Sequence, residues 1–81
     1  MSFLEERIQQ VFREVFDNQD LIVSDPMTSH DIQGWDSFAQ VRLVIAFEEE
    51  FDIKFTTAEV ATISSVAGLK NALLSKGVAA N

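Results

Sequence analysis

From about Ser37 to Phe51 the chain carries two apolar lines at helical spacing: Leu43, Ala46, Phe47 and Phe51 on one, and Phe38, Val41 and Ile45 on its neighbour. A helix with a single apolar line lies on a core and leaves its other faces wet. A helix with two needs either further helices on both sides or something outside the domain to cover the surplus. The spacing therefore predicts a helical bundle in which this helix is buried on two sides, as four-helix packing allows, or keeps one line free as an interaction face. Exposed apolar anchors rimmed by charge mark the second case.

The rest of the chain supplies the other helices. Leu4, Ile8, Val11, Phe12 and Val15 form one stripe, Ser2 and Glu5 make a capping box at its start, and the helix ends near Asp17-Asn18. Residues 17–36 then form a long segment with Pro26 and several Asp and Ser, which stays compact only if its own side chains pin it. Leu21, Ile22, Val23 and Met27 are the expected pins. After the second helix, Thr56 and Glu59 make a capping box for a short helix through about Ala61 or Thr62. Ser64-Ser65 caps a last helix with Val66, Leu69 and Leu73 inward, Ala72 and Leu74 as further inward candidates, and Gly77 as C-cap. The expected fold is all-α: a small four-helix bundle with a long loop between helices 1 and 2 and a short helix 3. One domain over residues 1–81 is expected, with residues 78–81 as a frayed tail.

A chain of 81 residues leaves little room for a large enclosed active site. Its hydrophobic content of 47% excludes a disordered tail. The absence of cysteine removes disulfides and thiolate metal sites and agrees with a reducing compartment. Met1-Ser2-Phe3-Leu4-Glu5-Glu6 lacks the basic start of a signal peptide, and no apolar run is long enough to span a bilayer, so a cytoplasmic monomer is expected. The net charge is −7 and unevenly spread. Residues 1–35 hold seven acids against two bases, residues 36–59 six against two, and residues 60–81 two lysines and no acid. Such a surface repels nucleic acid and membranes and steers toward partners with basic patches. The acids around Asp31 do not form a calcium loop, since Gln33 and Trp35 break the D-x-[DN]-x-[DN]-G register and Arg42 stands at its twelfth position. No metal site is expected.

Ser37 is the residue to explain. Gly34-Trp35-Asp36 delivers it to the first turn of the second helix, where backbone N–H groups without intrahelical acceptors form a seat for a phosphate. Serine needs a base to act as a nucleophile at neutral pH, and the only histidine, His30, lies seven residues upstream in a polar loop. The G-x-S-x-G elbow also fails, because Asp36 precedes the serine and no second glycine follows. Ser37 is thus acted upon rather than acting, and the chain is not an enzyme. The competing structural role is helix capping by Asp36 or Ser37, with Gln40 completing an S-x-x-Q box on Ser37.

Asp36-Ser37-Phe38, followed by the helix and its ending Phe47-Glu48-Glu49-Glu50-Phe51-Asp52-Ile53, resembles the acyl carrier proteins, whose signature is Asp-Ser-Leu at the start of a long second helix. Asp31-Ile32-Gln33-Gly34 resembles the family's approach to that serine. The resemblance implies that Ser37 receives 4'-phosphopantetheine from coenzyme A, that Asp36 is recognised by the phosphopantetheinyl transferase, and that acyl groups ride on the arm as thioesters. It implies a partner face of Phe38, Val41, Arg42, Ile45, Glu48 and Glu49, read by acyl-activating, acyl-transfer or condensing enzymes of fatty-acid, polyketide or other specialised acyl biosynthesis. It also implies an acyl path lined by Leu43, Phe47, Phe55, Val60 and Ile63, whose bland reading is packed core. Phe47 and Phe55 stand where the family often has smaller aliphatics, which favours short or unsequestered cargo. Ala39 and Arg42 replace acids usual in fatty-acid carriers, so the recognition face is expected to be less acidic than the family's norm. Trp35 is more typical of carriers dedicated to specialised pathways. An aminoacyl carrier, or an unmodified interaction module using the second helix, is the alternative.

Overall fold

The computed structural model describes residues 3–78. It contains four helices in order: α1 (Phe3–Val15), α2 (Ser37–Phe51), α3 (Thr57–Thr62) and α4 (Val66–Ser75). Among the described residues there is no β-strand, only an isolated bridge between Thr28 and Ser65. The all-α bundle with a long first loop and a short third helix is therefore as expected. Ser2, the capping partner read for Glu5, lies outside the described residues.

The core forms where the predicted stripes meet. Leu4, Ile8, Val11, Phe12 and Val15 of α1 face Leu43 and Phe47 of α2 and Val66, Leu69 and Leu73 of α4, and all are buried. Phe12 is its centre: its ring meets Trp35 edge-on at 5.4 Å and Phe47 edge-on at 5.9 Å, and stacks on Phe16 at 6.0 Å. Edge-to-face packing of this kind adds to the area buried because each ring presents its positive edge to a negative face.

The helix ends follow their local chemistry. Asp17, in the left-handed region at φ 50°, turns the chain out of α1, and the Asn18 N–H reaches back to the Arg13 carbonyl at 3.0 Å. α2 ends in the same way on Asp52 at φ 53°, with the Ile53 N–H on the Glu48 carbonyl at 3.1 Å. At α3 the capping box is complete: the Glu59 N–H donates to Thr56 Oγ1 and the Thr56 N–H to Glu59 Oε1. Ser65 caps α4 by accepting the Gly68 N–H at 3.0 Å. Gly77, at φ 90°, closes it. Val78 is half-buried against the core rather than frayed, and the other residues of the expected tail lie outside the described ones.

The long loop is held differently from the expectation. Val23 is buried, and Leu21 and Met27 pack on the core, but Ile22 is 67% exposed and pins nothing. Ile32 and Trp35 are buried instead. Polar groups complete the hold: Arg13 Nε donates to the Leu21 carbonyl at 2.8 Å, and Gln9 Oε1 accepts the Val23 N–H. The loop in turn finishes α4, since the Val66 and Ala67 N–H groups donate to the carbonyls of Met27 (2.9 Å) and Asp25 (3.0 Å). These are first-turn donors that the helix itself cannot satisfy. Leu74, read as a possible inward residue, is exposed, because α4 turns only one stripe to the core.

Candidate functional site

The start of α2 is a supported platform. Gly34 sits at φ 91°, a conformation that suits glycine, and turns the chain so that Trp35 enters the core while Asp36 and Ser37 stay exposed. Asp36 is the N-cap: its Oδ1 accepts the Ala39 N–H at 2.9 Å. Ser37 is the first helical residue, so its hydroxyl is free of capping duty. The Ser37 and Phe38 N–H groups have no intrahelical acceptor, as at the start of every α-helix, and they lie at the positive end of the helix dipole.

Gln40 does something the sequence did not disclose. It does not reach back to Ser37 in a capping box. Its Oε1 accepts the Trp35 indole N–H at 2.8 Å, and its Nε2 donates to the carbonyls of Ile63 (3.0 Å) and Val60 (3.4 Å). One amide thus joins the approach to Ser37, the second turn of α2 and the end of α3. Beside it lies an open groove of about 470 Å³ whose lining includes Ser37, Asp36, Trp35, Gln40, Val60 and Ile63.

The second apolar line of α2 faces outward. Phe38 is 82% exposed, Val41 56% and Ile45 50%, which decides between the two readings in favour of an uncovered face. Arg42 and Glu49 are exposed on the same helix. Glu48 is half-buried, with Oε2 accepting the Phe55 N–H at 2.8 Å, so that carboxylate is engaged in holding the chain after α2. Ala39 is only 5% exposed. It belongs to the core side, so of the two departures only Arg42 changes the charge of the outer face.

Among the described residues no hydrogen bond joins the His30 ring to Ser37, and no group of three or more His, Asp or Glu is placed to hold a metal ion. No described helix is long and apolar enough to cross a membrane.

The phosphopantetheine attachment site family matches residues 6–73. The acyl carrier protein of Buchnera aphidicola subsp. Acyrthosiphon pisum (strain Tuc7) is 39% identical over 67 residues, covering 82% of each chain, and those of strains 5A and APS match equally. The chain belongs to the acyl carrier protein family. Members of the family are carriers rather than enzymes, and the group they hold is covalent 4'-phosphopantetheine. The solution structure of the holo acyl carrier protein from Geobacter metallireducens is similar, with a TM-score of 0.82 at 26% identity over 89% of this chain and 83% of that one. A chain from Mycobacterium tuberculosis has the same fold, with a TM-score of 0.81 at 22% identity over 90% of this chain and 97% of that one.

The residues of this acyl carrier protein fit such a group, because an exposed hydroxyl, uncommitted helix N–H groups and an adjoining groove meet at one place. The inferred acyl path does not stand open. Leu43 and Phe47 are sealed in the core, Ile63 is buried at its edge, and Phe55 is half-buried. Of the five residues only Val60 and Ile63 border the groove. Phe47 is packed within that core, stacked on Phe51 at 6.0 Å and edge-on to Phe12.

Proposed function

We propose that Ser37 is the attachment point of the phosphopantetheine arm and that this carrier presents acyl groups to partner enzymes over the outer face of α2. The observation that carries the reading is the position of Ser37: exposed, first in its helix, relieved of capping by Asp36 and bordering a groove. When attached, the arm supplies a terminal thiol that holds an acyl group as a thioester. The chain's own residues have simpler tasks. The first-turn N–H groups of α2 favour the negative charge of a phosphodiester on Ser37. Asp36 fixes the helix start and offers an exposed carboxylate for the transferase to recognise. Phe38, Val41 and Ile45 are apolar anchors for a partner, with Arg42 and Glu49 as the charged rim. The net charge of −7 steers basic acyl-activating, acyl-transfer or condensing enzymes toward the molecule.

Intact-mass analysis after incubation with coenzyme A and a broad-specificity phosphopantetheinyl transferase tests this. One phosphopantetheine addition on the wild type and none on Ser37→Ala is the expected result. Addition to Ser37→Ala would move the attachment point elsewhere. No addition to a folded wild type would favour an unmodified interaction module, a reading that the exposure of Phe38 also supports.

A further inference from the structure

A group tethered near Ser37 has two surfaces within reach: the outer shelf formed by Phe38, Val41 and Arg42, and the groove toward α3. Leu43, Phe47 and Leu69 belong to the buried core and do not line the groove. Three of the groove's lining residues, Trp35, Val60 and Ile63, are tied together by a bracket centred on Gln40, which lines the groove as well. Its amide spends the oxygen on the Trp35 indole and the nitrogen on the carbonyls of Val60 and Ile63, at 2.8, 3.4 and 3.0 Å. Those carbonyls lie at the end of a six-residue helix, too short to be stable alone, so α3 depends on ties of this kind for its place. Gln40 is half-buried, and breaking its bonds strands the polar edge of Trp35 inside the fold.

We propose that Gln40 is a positioning residue that latches α3 against α2 and keeps a tethered acyl chain in the outer groove, out of the hydrophobic core. The inference rests on Ser37 as the attachment point. Two substitutions separate its parts. Gln40→Leu removes all three bonds. Gln40→Glu keeps an acceptor for Trp35 and cannot donate to Val60 and Ile63, so it opens the α3 side alone.

Wild type and both variants, with Ser37→Ala as the control that should not load, are incubated with butanoyl- or dodecanoyl-coenzyme A and a broad-specificity phosphopantetheinyl transferase. The transferase joins the acyl-phosphopantetheine to the Ser37 hydroxyl and releases adenosine 3',5'-bisphosphate, and intact mass is recorded first. Failure of the wild type to load counts against Ser37 and not against the latch. In the unloaded proteins, amide exchange of Val60 and Ile63 should be roughly tenfold faster in both variants, the loss expected of one or two net hydrogen bonds. In the loaded proteins, the dodecanoyl chain should shift the methyl resonances of Leu43 and Leu69 in both variants and leave them unmoved in the wild type. Equal core shifts in wild type and variants, or unchanged exchange at Val60 and Ile63, would overturn the proposal. A measurement on the wild type decides it without variants, should they not fold. The Gln40 side-chain amide protons should stay protected after dodecanoyl loading, and loss of that protection refutes the latch.

Discussion

Trp35 supports the site from below, and its indole N–H is the part that can be removed with least change in shape. Trp35→Phe keeps an aromatic ring against Phe12 but leaves Gln40 Oε1 without its donor. A loss of about 1–2 kcal/mol in urea unfolding is expected. Asp36→Ala removes the acceptor for the Ala39 N–H and should cost about 1 kcal/mol by the same measurement. If the transferase also reads Asp36, the loading rate of that variant should fall by more than its stability accounts for. At this scale the exposed position of Ser37 at the head of α2 was legible because the residues that set it, Gly34 to Asp36, stand next to it in the chain. Gln40 was not legible: its position three residues after Ser37 suggests a local capping box, whereas its partners include carbonyls on another helix, which no local pattern announces. The burial of Ala39 was missed for a related reason, since its place in a sequence motif says nothing of which side of α2 it occupies.

Elements that carry their own stop and start signals read well, and those that depend on distant partners do not. The Thr56–Glu59 box and the Ser65 cap are complete within four residues, and both appear where the sequence puts them. The loop was harder, because Ile22 and Ile32 are equally apolar and only the path of the folded chain determines which is covered. The α3 capping box makes a pH prediction. The hydrogen bond from Lys76, followed by the Thr56 N–H, holds the Glu59 carboxyl below its ordinary value. A carboxylate with a lowered folded pKa stabilises the fold fully above its unfolded value of about 4.3, and that contribution is lost as pH falls through the lower folded value. A carbon-detected titration should place the Glu59 midpoint below those of free glutamates, and Lys76→Met should return it toward them. Asp52, left-handed at the end of α2, offers the opposite kind of change. Asp52→Gly should raise stability by up to about 1 kcal/mol, seen as a higher urea midpoint.

Across the whole molecule, charge and apolar surface are arranged for encounter. The acids that give the net charge of −7 lie in the first 59 residues, while Arg42 stands alone as a base on the α2 segment beside the exposed Phe38 and Val41. Arg42→Glu should therefore raise kcat/KM for loading by a basic transferase several-fold at low salt, with the gain vanishing as ionic strength rises. A neutral effect at all salt concentrations would mean that the transferase does not approach that part of the face. The stitching of the long loop to α4 has a consequence for a chain being made. Translation delivers the carbonyls of Asp25 and Met27 well before the N–H groups of Val66 and Ala67 that will use them. A nascent chain that has released α1 and α2 therefore still lacks the α4 donors that tie down the loop, and Leu69 and Leu73 have not yet joined Leu4, Ile8 and Phe12 in the core. Closure of the bundle is then a late docking event, and until it happens the emerging carrier presents to chaperones the same leucines and phenylalanines that it afterwards hides.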